Sequence, residues 1–217
     1  MAHRVAKGLV GGCALLLGVT VTGCGAPQYT YVANSSESTY FKVPNGWHKI
    51  DASALQHAMQ EVTGSSGGGW QVAYEAGCAP TASDFLSFGA SQPFVFAEVG
   101  QLTSAGSQAL SYDELRDFFL PVSSTARQNE PAGFPLTNFK QIRDQVLTPG
   151  LGVHGVRETF DYTLSCGLAY TFDEIALTNA EQTVVYFLVL HCTESCYSSD
   201  QTAINDVMSS FTIRSSS

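Results

Sequence analysis

Three groupings of side chains in this chain invite a chemical reading. Gly64, Ser66 and Gly68 satisfy Gly-x-Ser-x-Gly, the turn that in hydrolases lifts a nucleophilic serine above a sheet. That turn needs a buried strand before the serine and a helix after it. Here a helical pattern precedes and more glycine follows, so the stretch reads as a flexible loop. Paired carboxylates come next: Asp113 with Glu114, and Asp173 with Glu174. Neighbours in a strand point to opposite faces, so Asp173 and Glu174 do not converge on one substrate. Asp113 and Glu114 are accounted for by a helix N-terminus, whose dipole favours negative charge. Finally, Trp47, Trp70, Tyr74 and Phe96 could line a ligand cleft, although aromatics at strand positions are more often core. No phosphate loop, calcium loop or dinucleotide fingerprint is present, so no cofactor is implied.

The first 24 residues carry an address. His3, Arg4 and Lys7 lead into residues 8–23, sixteen uncharged positions of which five are glycine, and the segment ends Val21-Thr22-Gly23-Cys24. Sixteen residues fall short of the roughly 20 that span a bilayer. The closing tetrad resembles the lipobox of bacterial lipoproteins, in which the cysteine sulfur is acylated and the chain is cleaved ahead of it. On that resemblance residues 1–23 are a signal peptide and Cys24 is the lipid attachment site. The protein is then held on the extracytoplasmic face of the cell membrane. Residues 24–38, mostly small and polar, read as a tether, and 39–217 as one folded domain. Without Arg4 and Lys7 the mature chain keeps eight basic against nineteen acidic residues, a net charge of −11. Such a body argues against nucleic acid or anionic lipid as a partner.

Outside the cytoplasm, Cys78, Cys166, Cys192 and Cys196 read first as disulfides. A zinc site using His191, Cys192 and Cys196 is the sharper alternative. It lacks a fourth ligand and the paired spacings that zinc sites show, so no metal is expected. Two maps remain open. Cys192–Cys196 can staple one turn, leaving Cys78–Cys166 to close a long loop, and this map is favoured. Alternatively, a two-residue hairpin turn at Asn179-Ala180 would set Gly167 opposite Cys192, giving Cys166–Cys192 and Cys78–Cys196. A Cys–His nucleophile pair with His48, His57, His154 or His191 would need a free thiol, which an oxidising compartment disfavours.

The elements that must position these residues alternate by period. Residues 40–43, 47–50, 70–75, 93–102, 139–147, 152–164, 168–177 and 182–191 read as strands. The last is apolar on both faces and belongs at the centre of a sheet. Asp51 or Ser53 can cap a helix to about Val62, and Ser111 with Glu114 forms a capping box. A final helix from about Asp200 carries Ile204, Val207, Met208 and Phe211 on one stripe. Residues 122–137 look like an excursion from the core. Helices at both ends of a run of antiparallel strands imply an α+β layered domain.

Tyr40-Phe41-Lys42-Val43-Pro44-Asn45-Gly46-Trp47 resembles the entry motif of PsbP-like (Mog-type) domains, a strand reading apolar-x-Val/Ile-Pro-x-Gly-Trp. The apolar strand and the helix ending Val207-Met208-Ser209-Ser210-Phe211-Thr212-Ile213 are similar to that family's last elements. LpqN-type actinobacterial lipoproteins are the nearest group. The resemblance implies an α/β/α sandwich around an antiparallel sheet and a non-catalytic interaction or accessory role with an envelope protein or small ligand. It supplies no catalytic residues. The alternative is an envelope small-ligand carrier or hydrolase with a cleft near residues 64–69.

Overall fold

A computed structural model describes residues 28–63, 69–77, 81–82, 84 and 91–214. Among the described residues, ten strands and six helices follow in chain order. They are β1 (Tyr29–Asn34), β2 (Thr39–Pro44), β3 (His48–Lys49), α1 (Ala52–Thr63), β4 (Trp70–Glu75), β5 (Phe94–Gln101), α2 (Ser104–Ala109), α3 (Tyr112–Arg116) and α4 (Ser124–Gln128). Then come β6 (Leu136–Gly150), β7 (Val153–Leu164), β8 (Ala169–Thr178), β9 (Val184–Thr193), α5 (Glu194–Ser199), α6 (Gln201–Ser209) and β10 (Thr212–Ile213). A seven-stranded sheet runs β3-β4-β5-β9-β8-β7-β6, a three-stranded sheet runs β1-β2-β10, and the pairings are antiparallel.

Strand β9 is the fourth of seven, as its double-sided apolar sequence requires. Val184, Tyr186, Leu188, Leu190 and Cys192 face one hydrophobic cluster, together with Val32, Phe41, Val43 and, on α6, Ile204, Val207 and Met208. Val185, Phe187 and Val189 face a second cluster with Phe94, Phe96, Leu115 and, on α1, Leu55. The first and last long helices thus cover opposite faces of the sheet. Each fully buried Leu, Val or Phe on β9 contributes about 1.5–3 kcal/mol. β9 therefore contributes to the packing of both layers.

Ser111 caps α3 through its hydroxyl, which accepts from the Glu114 backbone N–H at 3.1 Å. The helix ends at Arg116, short of Pro121. β6 is an exposed edge interrupted by three register shifts and carrying Lys140 and Arg143. Bulges and charges of this kind protect an edge from pairing with other chains.

Several expectations need correction. The tether assigned to residues 24–38 ends early, because Tyr29–Asn34 is β1, paired along its length with β2. Only Val32 marks its inner face as apolar, so the period-2 signal was thin. The body therefore begins at Tyr29 rather than at 39. Residues 122–137 are not outside the core: Val122 and Leu136 join Leu120, Phe160, Tyr162, Tyr170 and Phe172 in a third cluster. The final helix does start where expected, at Gln201 with Asp200 as its N-cap, but a separate short helix that was not expected, α5, precedes it, capped by the Thr193 hydroxyl.

The β8–β9 connection is a five-residue loop, 179–183, rather than a two-residue turn. The Asn179 carboxamide oxygen accepts from the backbone N–H groups of Thr183 (2.8 Å) and Val184 (3.0 Å), which lengthens the loop. Thr171, not Gly167, consequently faces Cys192. The Cys166–Cys192 map fails with that register, and Cys192 is bridged to Cys196 with Cα atoms 5.9 Å apart. Cys166 carries a free, exposed thiol at the β7–β8 hairpin tip. The favoured Cys78–Cys166 bridge is therefore corrected on the Cys166 side. Cys78, Cys24, Ser66 and the signal segment lie outside the described residues.

Candidate functional site

The polar residues of β7 and β8 form two centres, back to back across the sheet. Gly167, at φ +86°, turns the chain tightly between the two strands. The register that results puts Glu158 opposite Glu174 and Thr159 opposite Asp173. Alternation then sends Glu158 and Glu174 to the face covered by α1 and α3. Arg157 and Asp173 go to the face covered by α5 and α6.

On the α3 side, Arg116 reaches down from the last turn of that helix. Its Nε donates to Glu158 Oε1 at 3.0 Å, its Nη2 to Asp144 Oδ1 at 3.0 Å and its Nη1 to Asp113 Oδ1 at 3.0 Å. Gln141 Nε2 donates to the second Glu158 oxygen at 3.1 Å. Glu158 and Glu174 are both fully buried, and neither oxygen of Glu174 has a hydrogen-bond partner. Burial, reinforced by neighbouring Asp144, pushes the Glu158 carboxyl up to about 7. Burial, with Glu158, Asp117 and Asp173 nearby, holds Glu174 well above the ordinary carboxylate range. Glu174 therefore favours its neutral form far more strongly than an exposed carboxyl does.

On the other face, Arg157 grips Asp173 with both ends of its fork, Nε at 2.9 Å and Nη2 at 2.7 Å, and the Tyr197 hydroxyl donates to Asp173 Oδ2 at 2.8 Å. Burial first, then the Asp173 charge, pushes the Tyr197 phenol up. This charge-assisted triad ties β7 and β8 to α5. All its members are occupied by one another.

Beside Arg116, α3 roofs a hollow of 250 Å³ lined by Leu110, Ser111, Tyr112, Leu115, His154, Thr178 and Gln182. His154 Nδ1 lies 3.0 Å from the Gly152 carbonyl, which can only accept. The neutral ring therefore carries its proton on Nδ1 and leaves Nε2 as an acceptor. No lining residue is an acid, a lysine or an arginine.

The other sequence candidates fall apart spatially. Trp47, Trp70 and Tyr74 pack on the cluster beneath α6, whereas Phe96 lies on the opposite face of the sheet under α1. They are core, not a shared cleft, because Tyr74 and Phe96 sit one register position out of phase on paired strands. His191 is buried between Phe94 and Phe172, and burial takes its ring down to about 3. It points to the face away from Cys192, which excludes the zinc reading. Among the described residues no cluster of three or more His, Cys, Asp or Glu could hold a metal. None of their helices is long and apolar enough to cross a membrane. Asp173 and Glu174 do diverge, as strand alternation requires. Missed were Arg116, Asp144, Glu158, Arg157 and Tyr197. The Gly167 turn was the available signal, since a tight turn there sets Glu158 opposite Glu174.

No family model and no curated protein sequence matches this chain. Solved structures do. The cyanobacterial PsbP (CyanoP) of Synechocystis sp. PCC 6803 superposes with a TM-score of 0.51 at 15% identity, covering 94% of this chain and 99% of that one. This is the PsbP fold. LpqN of Mycobacterium tuberculosis, described as involved in cell envelope biogenesis, gives 0.45 at 14% identity over 87% of this chain and 91% of that one. Mog1 gives 0.47 at 10% identity over 85% and 95%. At such identities the PsbP fold is what the likeness establishes, and no residue's role is transferred with it.

Proposed function

We propose that this protein is a lipid-anchored, extracytoplasmic accessory domain that binds rather than transforms its partner. The observation that carries the reading is the tetrad Val21-Thr22-Gly23-Cys24 behind a basic start and an uncharged segment. The Cys192–Cys196 bridge supports an oxidising compartment. A non-catalytic role is supported by the way the reactive groups are spent. Asp173 is held by Arg157 and Tyr197, Glu158 by Arg116 and Gln141, and Glu174 is sealed from solvent. Metabolic labelling with a palmitate analogue tests the anchor: the label is expected on the native chain and lost with Cys24→Ser. Label that persists in the variant overturns it. Crosslinking in intact envelopes tests the accessory role, with one reproducible partner expected.

A small-ligand carrier is the second reading, favoured by the uncharged hollow beneath α3. Its hydrolase form would rest on Ser66, whose replacement by alanine should abolish any hydrolysis detected.

A further inference from the structure

We infer that the outer face of the β1-β2-β10 sheet lies against the phospholipid headgroups of the membrane that holds Cys24. This rests on the lipid anchor proposed above and deepens it by naming the surface that meets the bilayer.

Two observations carry it. The first is chain length. Four residues, 25–28, separate Cys24 from Tyr29, where β1 begins. Five residue steps span at most about 18 Å when fully extended. The sheet is thus confined close to the headgroups, whereas the α1 and α3 side of the molecule is not.

The second is what this face displays. Register and alternation place Tyr29, Tyr31 and Ala33 of β1 outward beside Lys42 and Tyr40 of β2, with Thr212 of β10 next to Tyr40. Tyr31 is 78% exposed, the largest exposure of a large hydrophobic residue among the described residues. Lys42 Nζ sits 4.0 Å from the centre of the Tyr29 ring, and the Arg214 guanidinium 4.8 Å from that of Tyr40. Asp206 of α6 accepts from the Tyr29 hydroxyl at the margin of this face, and Glu37 and Asp200 line hollows beside it. Tyrosines with an apolar ring and a wet hydroxyl, flanked by cations held over aromatic faces, suit the layer where acyl chains give way to phosphates. The mature chain, with eight basic against nineteen acidic residues, is acidic at −11. That charge argues against anionic lipid as a partner of the body at large, so the contact is local: the tether sets the distance, and Lys42 and Arg214 are the cations this face offers to phosphates.

The test uses the lipidated protein, purified from membranes and reconstituted in phosphatidylglycerol–phosphatidylethanolamine vesicles carrying a headgroup nitroxide quencher. In a Cys78→Ser, Cys166→Ser background, one fluorophore is placed through Tyr31→Cys and, separately, through Tyr112→Cys on α3. Quenching at position 31 is expected to exceed that at 112 at least threefold, and adding Lys42→Glu with Arg214→Glu should reduce it by half or more. Both reporter sites are exposed, so neither substitution threatens the core. Protein that sediments with vesicles but shows equal quenching at the two sites, or more at 112, overturns the orientation and leaves the anchor standing. Protein that does not sediment at all overturns both. Quenching at 31 that is insensitive to the charge reversals overturns the role of Lys42 and Arg214.

Discussion

Glu158 and Glu174 face each other across the β7–β8 ladder, fully buried, with a single cation, Arg116, against the first and no partner for the second. Two carboxyls in one dry space cannot both ionise cheaply, so the folded protein retains protons that the unfolded chain has released. The raised groups favour the fold fully below the ordinary value of 4.5, and that contribution is lost as pH rises through about 7 and beyond. Urea titrations should therefore give higher stability at pH 5.5 than at pH 8, with a slope approaching about 1.4 kcal/mol per pH unit for each retained proton. Glu174→Gln keeps the shape and removes that residue's share of the proton linkage, leaving the share of Glu158. It should raise stability at pH 8 and flatten the profile; a native profile already as flat as the variant's would contradict the account.

His191 works in the opposite sense. Its ring is neutral in the fold down to about 3, whereas an unfolded histidine charges near 6.5. It contributes stability above 6.5 that is lost as pH falls, blunting the gain from the two glutamates. The direct check is the His191 ring signal by NMR, which should show no inflection between pH 5 and 8.

Asp173 anchors three elements through Arg157 and Tyr197. Replacing it with alanine leaves the Arg157 charge buried without its partner, a loss of about 3–5 kcal/mol. Tyr197→Phe removes one bond to a charged group and should cost about 1.5–3 kcal/mol. Chemical denaturation of the two variants should reproduce that order.

Gly155 permits the close approach of β7 to β8. A Cβ there would collide with the Ala176 carbonyl oxygen and come within 2.8 Å of Leu177 Cα, both backbone atoms. Gly155→Ala should lower stability by at least about 1–3 kcal/mol, read as a fall in Tm.

The Cys192–Cys196 bridge closes a very short loop, so its loss should cost only about 2 kcal/mol in the chain-entropy model. Non-reducing peptide mapping should recover this pair, and alkylation without reductant should modify Cys166.

Much of the architecture could be read along the chain. Residues 184–190 are apolar on both faces, which is enough to demand a central strand. Leu55 with Met59 and Ile204 with Val207 and Met208 repeat at helical spacing, which is enough to demand a covering layer on each side. The capping hydroxyl of Ser111 was equally legible, because a cap is a contact between residues three apart.

What the sequence alone determined is therefore whatever depends on neighbours within a turn or on a period of two or 3.6. What only the tertiary structure decided is whatever depends on register. A five-residue loop at 179–183 in place of a two-residue turn moved Cys192 away from the Cys166 hairpin. The Gly167 turn brought Glu158 to Glu174. Chain folding carried Arg116 across forty-two positions to reach Glu158. Each of those partnerships is set by one hydrogen-bond ladder among several competing alignments. The energy that selects among them comes from the packed layers on both faces, not from any local stretch.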